Sequence, residues 1–221
     1  MGAGSPLNAL NVRPPFKRYF LIDISGGRLQ LLRRATGARN DVELLEGNCN
    51  TVLLERVFPQ IQYGQRRRAL CLLDPYGLDL DWRVTQTAGQ LRTIDLFLNF
   101  PIMDINRNAL WTAPERVRPG EVARLTRYWG DESWRQVAYR PSPQKELFGQ
   151  VELKKASNEA VVEAFRARLQ AVAGFRNVPK PMPMRNSSNA VVYYLFFASQ
   201  NETANKIVND IFRRHGQKQV V

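Results

Sequence analysis

The chain alternates short hydrophobic runs with segments of helical periodicity. Apolar residues recur at helical spacing between the runs, as at Leu29, Leu31 and Leu32. Strands that alternate with helices at this cadence indicate an α/β fold with a mostly parallel sheet. The predicted strands span 18–23, 42–48, 69–73, 93–101 and 190–199. The predicted helices after the second strand span 51–57, 84–91, 120–129, 157–172 and 201–214.

The second half of the chain departs from this alternation. Prolines in 178–184 exclude a central strand there, and the polar segment 184–190 then leads into the longest apolar run. This pattern predicts an antiparallel hairpin near the C-terminus. The segment 103–150 is rich in Trp, Arg and Pro and is predicted to be an inserted subdomain or lid. The predicted organisation is a core over 1–102, the insert over 103–150, and the C-terminal part of the core over 151–221.

Charge limits the partners that this chain can have. The net charge is +12 and the pI ≈ 10.2, with arginines clustered at 33–34, 66–68 and 213–214. Because a guanidinium binds phosphate through two donors, these clusters predict contact with nucleic acid or another polyanion, although solvated surface arginines give the same pattern. No apolar stretch is long enough to cross a membrane and no signal peptide is apparent. We therefore expect a soluble cytoplasmic protein without a membrane partner.

Metal and histidine chemistry have little support in the sequence. Cys49 and Cys71 lack Cys-x-x-Cys spacing, which indicates thiols in a reducing compartment rather than a metal site. The single histidine, His215, lies in a basic tail. Neither zinc binding nor a histidine-activated nucleophile is therefore predicted.

The segment Asp74-Pro75-Tyr76-Gly77 carries the most specific chemistry. It closes the apolar run 69–73, as expected of a buried parallel strand that stops at the ligand-binding edge of an open sheet. The segment is similar to the Asp/Asn-Pro-Pro-Tyr/Phe strand end of amino-group methyltransferases, where a polar side chain accepts hydrogen bonds from the amine and an aromatic ring stacks on it. The alternative is a plain strand-to-loop turn, with Gly77 in a left-handed conformation.

Six motifs occur in an order that resembles one protein family. They are Gly4-Ser5-Pro6-Leu7, Tyr19–Asp23, Glu46–Asn50, Leu73–Leu78, Asp95–Pro101 and Val192–Ser199. The set resembles the three-Cys-motif partner protein family, TcmP, which is similar to class I S-adenosylmethionine-dependent methyltransferases, and it covers nearly the whole chain. The resemblance implies a Rossmann-like, three-layer α/β/α arrangement. It also implies a companion, a radical-SAM-like protein with a three-cysteine motif that is often encoded alongside in bacterial or phage loci.

The resemblance implies where S-adenosylmethionine would bind. Asp23 would accept the two ribose hydroxyls, unless it only caps the helix that begins near Gly26. Asn48 would contact the adenine together with the backbone at Cys49, although a turn before a helix is equally compatible. Gly4 belongs to the same implied cofactor set.

A target amine would approach the cofactor at the neighbouring strand ends. Asp74 would accept its N–H groups, and Tyr76 would stack on a planar base, which must then be flipped or single-stranded. Arg107 would hold a phosphate or carboxylate, unless it only bridges the insert to the core. The implied catalytic residues are Asp74, Pro75 and Tyr76, and the implied substrate contacts are Asn99, Phe100 and Arg107.

Two departures from the family pattern affect these expectations. In the family, the central strand and the Gly-rich loop under the methionine carboxylate precede the segment that begins here at Gly4, only three residues after Met1. Asn48 also stands where the family has an acid. We therefore expect impaired cofactor binding and unpaired flanking strands, which would make the chain poorly stable or oligomeric.

Three functions are compatible with the sequence. The first is a methyltransferase-like partner protein that works with its three-Cys-motif companion, and the absent loop favours it. The second is an active S-adenosylmethionine-dependent N-methyltransferase on a nucleic acid base. The third is a nucleic-acid-binding adaptor of a phage or defence locus, supported by charge and by Trp111, Trp129 and Trp134 beside arginines, although such tryptophans more simply form a small core.

Overall fold

A computed structural model describes residues 4–37, 39–145 and 151–216 of the chain. It confirms an α/β fold with partly parallel, mixed sheets. The chain divides into two compact units, 1–60 and 61–221, so the boundary falls inside the predicted segment 1–102. Among the described helices, none combines the length and the apolar character that are needed to span a bilayer.

The first unit is a β-α-β arrangement. β1 (Tyr19–Asp23) and β2 (Val42–Glu46) pair in parallel, and α2 (Gly26–Thr36) connects them. Leu29 of α2 is buried whereas Leu31, two residues on and therefore on the far side of the helix, is exposed. The unit also contains α1 (Ser5–Leu10), α3 (Cys49–Val52), a π-helical turn (Leu53–Val57) and a 3-10 turn (Phe58–Gln60).

The second unit is built around a four-stranded mixed sheet of order β3-β4-β8-β7. β3 (Ala69–Leu73) and β4 (Ile94–Phe100) pair in parallel, which requires a crossover connection between them. β8 (Val191–Ala198) runs antiparallel to β4 and to β7 (Met182–Arg185), which confirms the predicted C-terminal hairpin. The hairpin turn is closed by the Asn186 carboxamide, which accepts the backbone N–H groups of residues 188 and 190.

Helices cover both faces of this sheet. Consecutive strand residues point to opposite faces of a sheet. The neighbours of Phe196 and Phe197 in β8 therefore show which helix packs on each face. Phe196 packs edge-on against Phe165, whereas Phe197 packs with Phe212 in a separate cluster. The helices of the unit are α4 (Trp82–Leu91), α5 (Ile102–Asn108), α6 (Pro119–Trp129), α7 (Trp134–Ala138), α8 (Asn158–Ala171) and α9 (Glu202–His215). Since α8 carries Phe165 and α9 carries Phe212, the second unit has three layers.

The predicted insert contributes to the same core. Trp129 and Trp134 are buried, as expected of tryptophans that form a core rather than a stacking surface. The insert also contains β5 (Tyr139–Lys145), which pairs antiparallel with β6 (Val151–Lys155). The sequence did not predict these two strands. The remainder of the predicted insert, residues 146–150, lies outside the described part of the chain.

β3 forms one edge of the four-stranded sheet. Within the described residues β3 pairs only with β4, and β1 pairs only with β2. Leu70 and Leu72 of β3 are correspondingly exposed, Leu72 to 55%. An apolar edge of this kind favours association with another chain.

Candidate functional site

A cavity of about 230 Å³ opens in the second unit where β3 and β4 end. Leu73 is opposite Leu98 in the parallel register, so the next residues, Asp74 and Asn99, emerge side by side. This is the sheet edge at which ligands bind in open α/β folds. The cavity is lined by Asp74, Pro75, Asn99, Pro101, Met103, Asp104, Arg107, Val192 and Tyr193.

The polar centre of the cavity is a hydrogen-bonded pair. Asn99 Nδ2 donates to Asp74 Oδ1 over 2.6 Å. No other described residue hydrogen-bonds to the Asp74 carboxylate, which leaves Oδ2 available to accept from a ligand. Asn99 therefore fixes the orientation of the carboxylate, and the pair presents an acceptor toward the cavity.

Tyr193 and Arg107 add a neutral donor and a positive charge to the lining. Burial raises the pKa of the Tyr193 phenol, and the negative charge of Asp74 raises it further. The phenol therefore stays protonated at neutral pH and can donate a hydrogen bond. Arg107 lies in the last turn of α5, is exposed, and suits an anionic group on the ligand.

The charge of Asp74 should be measurable through Tyr193. In the Asp74→Asn variant the Tyr193 pKa should fall toward its ordinary value, because the nearby negative charge that disfavours tyrosinate is lost. It should stay above that value because burial remains. Titration of ring ¹³Cζ signals by NMR, with Tyr193→Phe for assignment, measures this shift. Asp210→Asn on α9 removes an equal charge elsewhere, and an equal shift in that control would contradict the proximity.

Two of the predicted site residues are placed differently from the sequence interpretation. The Tyr76 side chain is 90% exposed and does not line the cavity, so it does not stack over a ligand there. Phe100 is completely buried, and its ring packs against Tyr128, Phe165 and Phe196. The prediction that Phe100 contacts substrate is wrong, because Phe100 follows Asn99 in the strand and must point to the opposite face. Pro75 does line the cavity.

Gly77 adopts the left-handed conformation predicted for the turn after β3, with φ +55°. A Cβ at this position would lie 2.7 Å from Asp104 Oδ2, so the glycine also allows α5 to approach the loop. Asp104 accepts a hydrogen bond from Asn108 Nδ2 through Oδ1, while Oδ2 is buried without a partner in the described structure. Asp104 is therefore a second carboxylate of the lining.

Five lining residues are not among the site residues predicted from the sequence: Pro101, Met103, Asp104, Val192 and Tyr193. Tyr193 and Val192 come from β8, about a hundred positions after Asp74, and only long-range strand pairing brings them to the cavity. Asp104 was visible as an acid after β4, but its approach depends on the way α5 folds back. The pattern of strand ends places Asp104 after β4, at the sheet edge that carries Asp74, but it cannot identify Val192 or Tyr193.

The first unit contains the residues implied for the cofactor. Asp23 Oδ1 accepts the backbone N–H of Ser25 over 2.8 Å, and Oδ2 lies 3.6 Å from Arg28 Nη1. Ser25 rather than Asp23 caps α2, since its hydroxyl accepts from the Arg28 N–H. Asp23 and Glu46 are opposite each other in the register, so two acids share this edge. Glu46 belongs to the Glu46–Asn50 motif, but the motif by itself predicts no role for this side chain.

Asn48 is the N-cap of α3, and its side chain accepts from the Asn50 N–H over 2.9 Å. This matches the turn alternative that the sequence left open. Cys49 is the first residue of α3, and Gly4 is the exposed N-cap of α1. Each of these positions therefore has a local structural role in the first unit.

The size of the Asp74 cavity and the contacts of Asp23 limit what each unit can bind. The cavity is smaller than the roughly 300–1,000 Å³ typical of ligand pockets, so it suits one planar group. The Asp23 carboxylate already contacts Ser25 and Arg28, with which ribose hydroxyls would have to compete. Within the described residues, no group of three His, Cys, Asp or Glu side chains is arranged to hold a metal ion.

Comparison with known proteins does not assign the chain to a family. A scan against protein-family models, a search of curated proteins and a search of solved structures found no match. The functional proposals therefore depend on the geometry of the chain and on its sequence motifs.

Proposed function

We propose that this chain is a methyltransferase-like partner protein of the three-Cys-motif type. In this proposal it works with a radical-SAM-like companion and holds an amino-bearing group at the Asp74 cavity. The hydrogen-bonded pair of Asp74 and Asn99 at the carboxyl ends of two parallel strands carries the proposal. The crossover pairs and the antiparallel C-terminal hairpin support a Rossmann-like class I methyltransferase sheet.

The cavity suits an amine on a planar ring. Asp74 Oδ2 accepts one N–H of the amine, while Asn99 holds Oδ1. The protonated Tyr193 phenol donates to a ring nitrogen or carbonyl, and Arg107 binds an anionic substituent outside the cavity. These contacts bind and orient the amine without a covalent intermediate.

The edge of β3 supports the partner role. Leu70 and Leu72 project from one face of an edge strand, where a soluble monomer would ordinarily cover them or replace them with charge. A companion that packs on β3 would remove this apolar surface from water. The β3 edge is therefore the expected contact with the three-Cys-motif protein.

We expect the chain and the three-Cys-motif protein of its own locus to form a complex at micromolar concentrations. Replacing Leu70 and Leu72 with glutamate should weaken the complex at least tenfold, because each introduces a charge into an apolar contact. Sedimentation velocity on the mixed proteins measures both effects. Leu31→Glu changes a still more exposed leucine, on α2, and serves as the control. Absence of a complex, or equal weakening by the control, would contradict the proposal.

The same polar pair also keeps an active N-methyltransferase as the second candidate, since an oriented carboxylate beside an amine raises its nucleophilicity. Transfer of labelled methyl from S-adenosylmethionine to single-stranded DNA or RNA by the chain alone tests it. The enzyme would be established if the Asp74→Ala variant loses the transfer of label and the Asp210→Ala variant keeps it. This candidate would be rejected if titration with S-adenosylmethionine gives no heat of binding in calorimetry and no labelled methyl group is transferred.

A further inference from the structure

A second feature of the 61–221 unit lies in the Tyr63–Arg68 loop, which precedes β3. Residues 62–68 are all exposed, yet the loop has a defined backbone. Tyr63 begins a 3-10 turn, and the N–H of Arg66 donates to the Tyr63 carbonyl over 2.9 Å. The Arg67 N–H donates to the Gln62 carbonyl over 3.4 Å. The loop is therefore a folded surface element.

Thr93 fixes both ends of the loop. Its buried hydroxyl donates to the Ile61 carbonyl over 2.7 Å, and its own carbonyl accepts the Ala69 N–H over 3.0 Å. Both ends of the loop are thus held by Thr93, the residue that immediately precedes β4. A loop held in this way presents its side chains with less ordering entropy than a free chain would lose on binding.

The arginines of the loop converge on one hollow. Arg66 has φ +53°, a left-handed conformation that is uncommon for a residue other than glycine. This bend lets three successive arginines line the same shallow hollow of about 400 Å³, together with Tyr63 and Gly64. Successive side chains of an extended strand would point alternately to opposite sides. Neither Arg66 nor Arg68 forms an ion pair with a described acidic residue.

We propose that the Tyr63–Arg68 loop binds single-stranded nucleic acid. Tyr63, 74% exposed, supplies a ring on which an unpaired base stacks. The guanidinium groups of 66–68 bind the flanking phosphates through paired N–H donors. The combination of an exposed ring with arginine alone, without lysine, favours a nucleic acid over an acidic protein surface. The overall charge of +12 draws a polyanion toward the chain.

The loop and the Asp74 cavity are distinct sites. The loop precedes the first residue of β3 and the cavity follows the last, so they lie at opposite ends of this strand. The five residues of β3 span about 13 Å between their end Cα atoms. A single small ligand therefore does not fill both. The proposal does not depend on the amine site or on the companion protein.

Fluorescence anisotropy with labelled oligothymidylate and oligouridylate tests the proposal on the full chain. Three phosphate contacts predict a slope of about −2 in a plot of log affinity against log salt. The triple variant R66Q/R67Q/R68Q should weaken binding at least tenfold and bring the slope close to zero. Tyr63→Ala should weaken binding about tenfold, and Tyr63→Phe should retain it, because stacking needs the ring alone.

The matched control R33Q/R34Q/R214Q removes the same charge from exposed positions outside the loop. It should keep the slope and lose little affinity. Equal losses in the two triple variants would overturn the site, because net charge would then explain the binding. An unchanged Tyr63→Ala affinity would overturn the assignment to a single strand. Binding to phosphatidylserine vesicles but not to oligonucleotides, with the same arginine dependence, would assign the loop to a membrane surface instead.

Discussion

Replacing Phe165 with alanine is expected to lower the free energy of unfolding of the second unit by about 3–5 kcal/mol. Phe165 lies on α8 with 1% of its surface exposed. Its ring contacts those of five other residues at centroid distances of 4.7–5.9 Å, so the truncation leaves a cavity among rings that are already packed against the sheet and its helices. The five are Trp82, Phe100, Tyr128, Trp129 and Phe196.

Tryptophan fluorescence during denaturant unfolding measures this loss directly. All four tryptophans lie in the second unit, at positions 82, 111, 129 and 134, so the signal reports on this unit alone. Tyr76→Ala truncates an aromatic side chain that is almost fully exposed, and it should change stability by less than about 0.5 kcal/mol. A Phe165→Ala loss close to that of the control would show that the aromatic cluster is not the core of the unit.

The strands were predictable from sequence because polar or proline residues stop the apolar runs. The run 69–73 matches β3 at both ends, and 190–199 exceeds β8 by one residue at each end. Tyr139–Lys145 was missed because its prolines, Pro141 and Pro143, argue against a strand. β5 is tolerated at these positions because it pairs only with β6 in the described structure, and that pairing is irregular.

The candidate site was predictable only in part. The pairing of Asp74 with Asn99 follows from parallel strands that end at one edge, which the alternation of strands and helices already indicates. Tyr193 was not predictable, because periodicity does not specify which strand β8 pairs with. Phe100 could have been excluded by the two-residue period of a strand, since Asn99 and Phe100 cannot both face one cavity.

The second large effect is expected at Gly89 in α4. A Cβ at this position would lie 2.1 Å from the Ala173 carbonyl oxygen and 3.1 Å from Phe175. Gln200 Nε2 donates to the carbonyls of both Gly89 and Gly174, and these two hydrogen bonds keep α4 close to the 173–175 segment. The neighbour is backbone rather than a flexible side chain, so it cannot move without breaking the packing of α4.

Gly89→Ala should therefore destabilise the second unit by about 3 kcal/mol or more, as overpacking of a close contact does. Helix propensity acts in the opposite direction, since alanine is favoured over glycine by about 1 kcal/mol in a helix interior. Gly120→Ala, in the first turn of α6, is the control without overpacking, because nothing lies within 4 Å of its added Cβ, and it should be slightly stabilising. Denaturant midpoints followed by tryptophan fluorescence should shift in opposite directions for the two variants. A stabilised Gly89→Ala protein would mean that α4 does not approach residues 173–175 as closely as the structure places it.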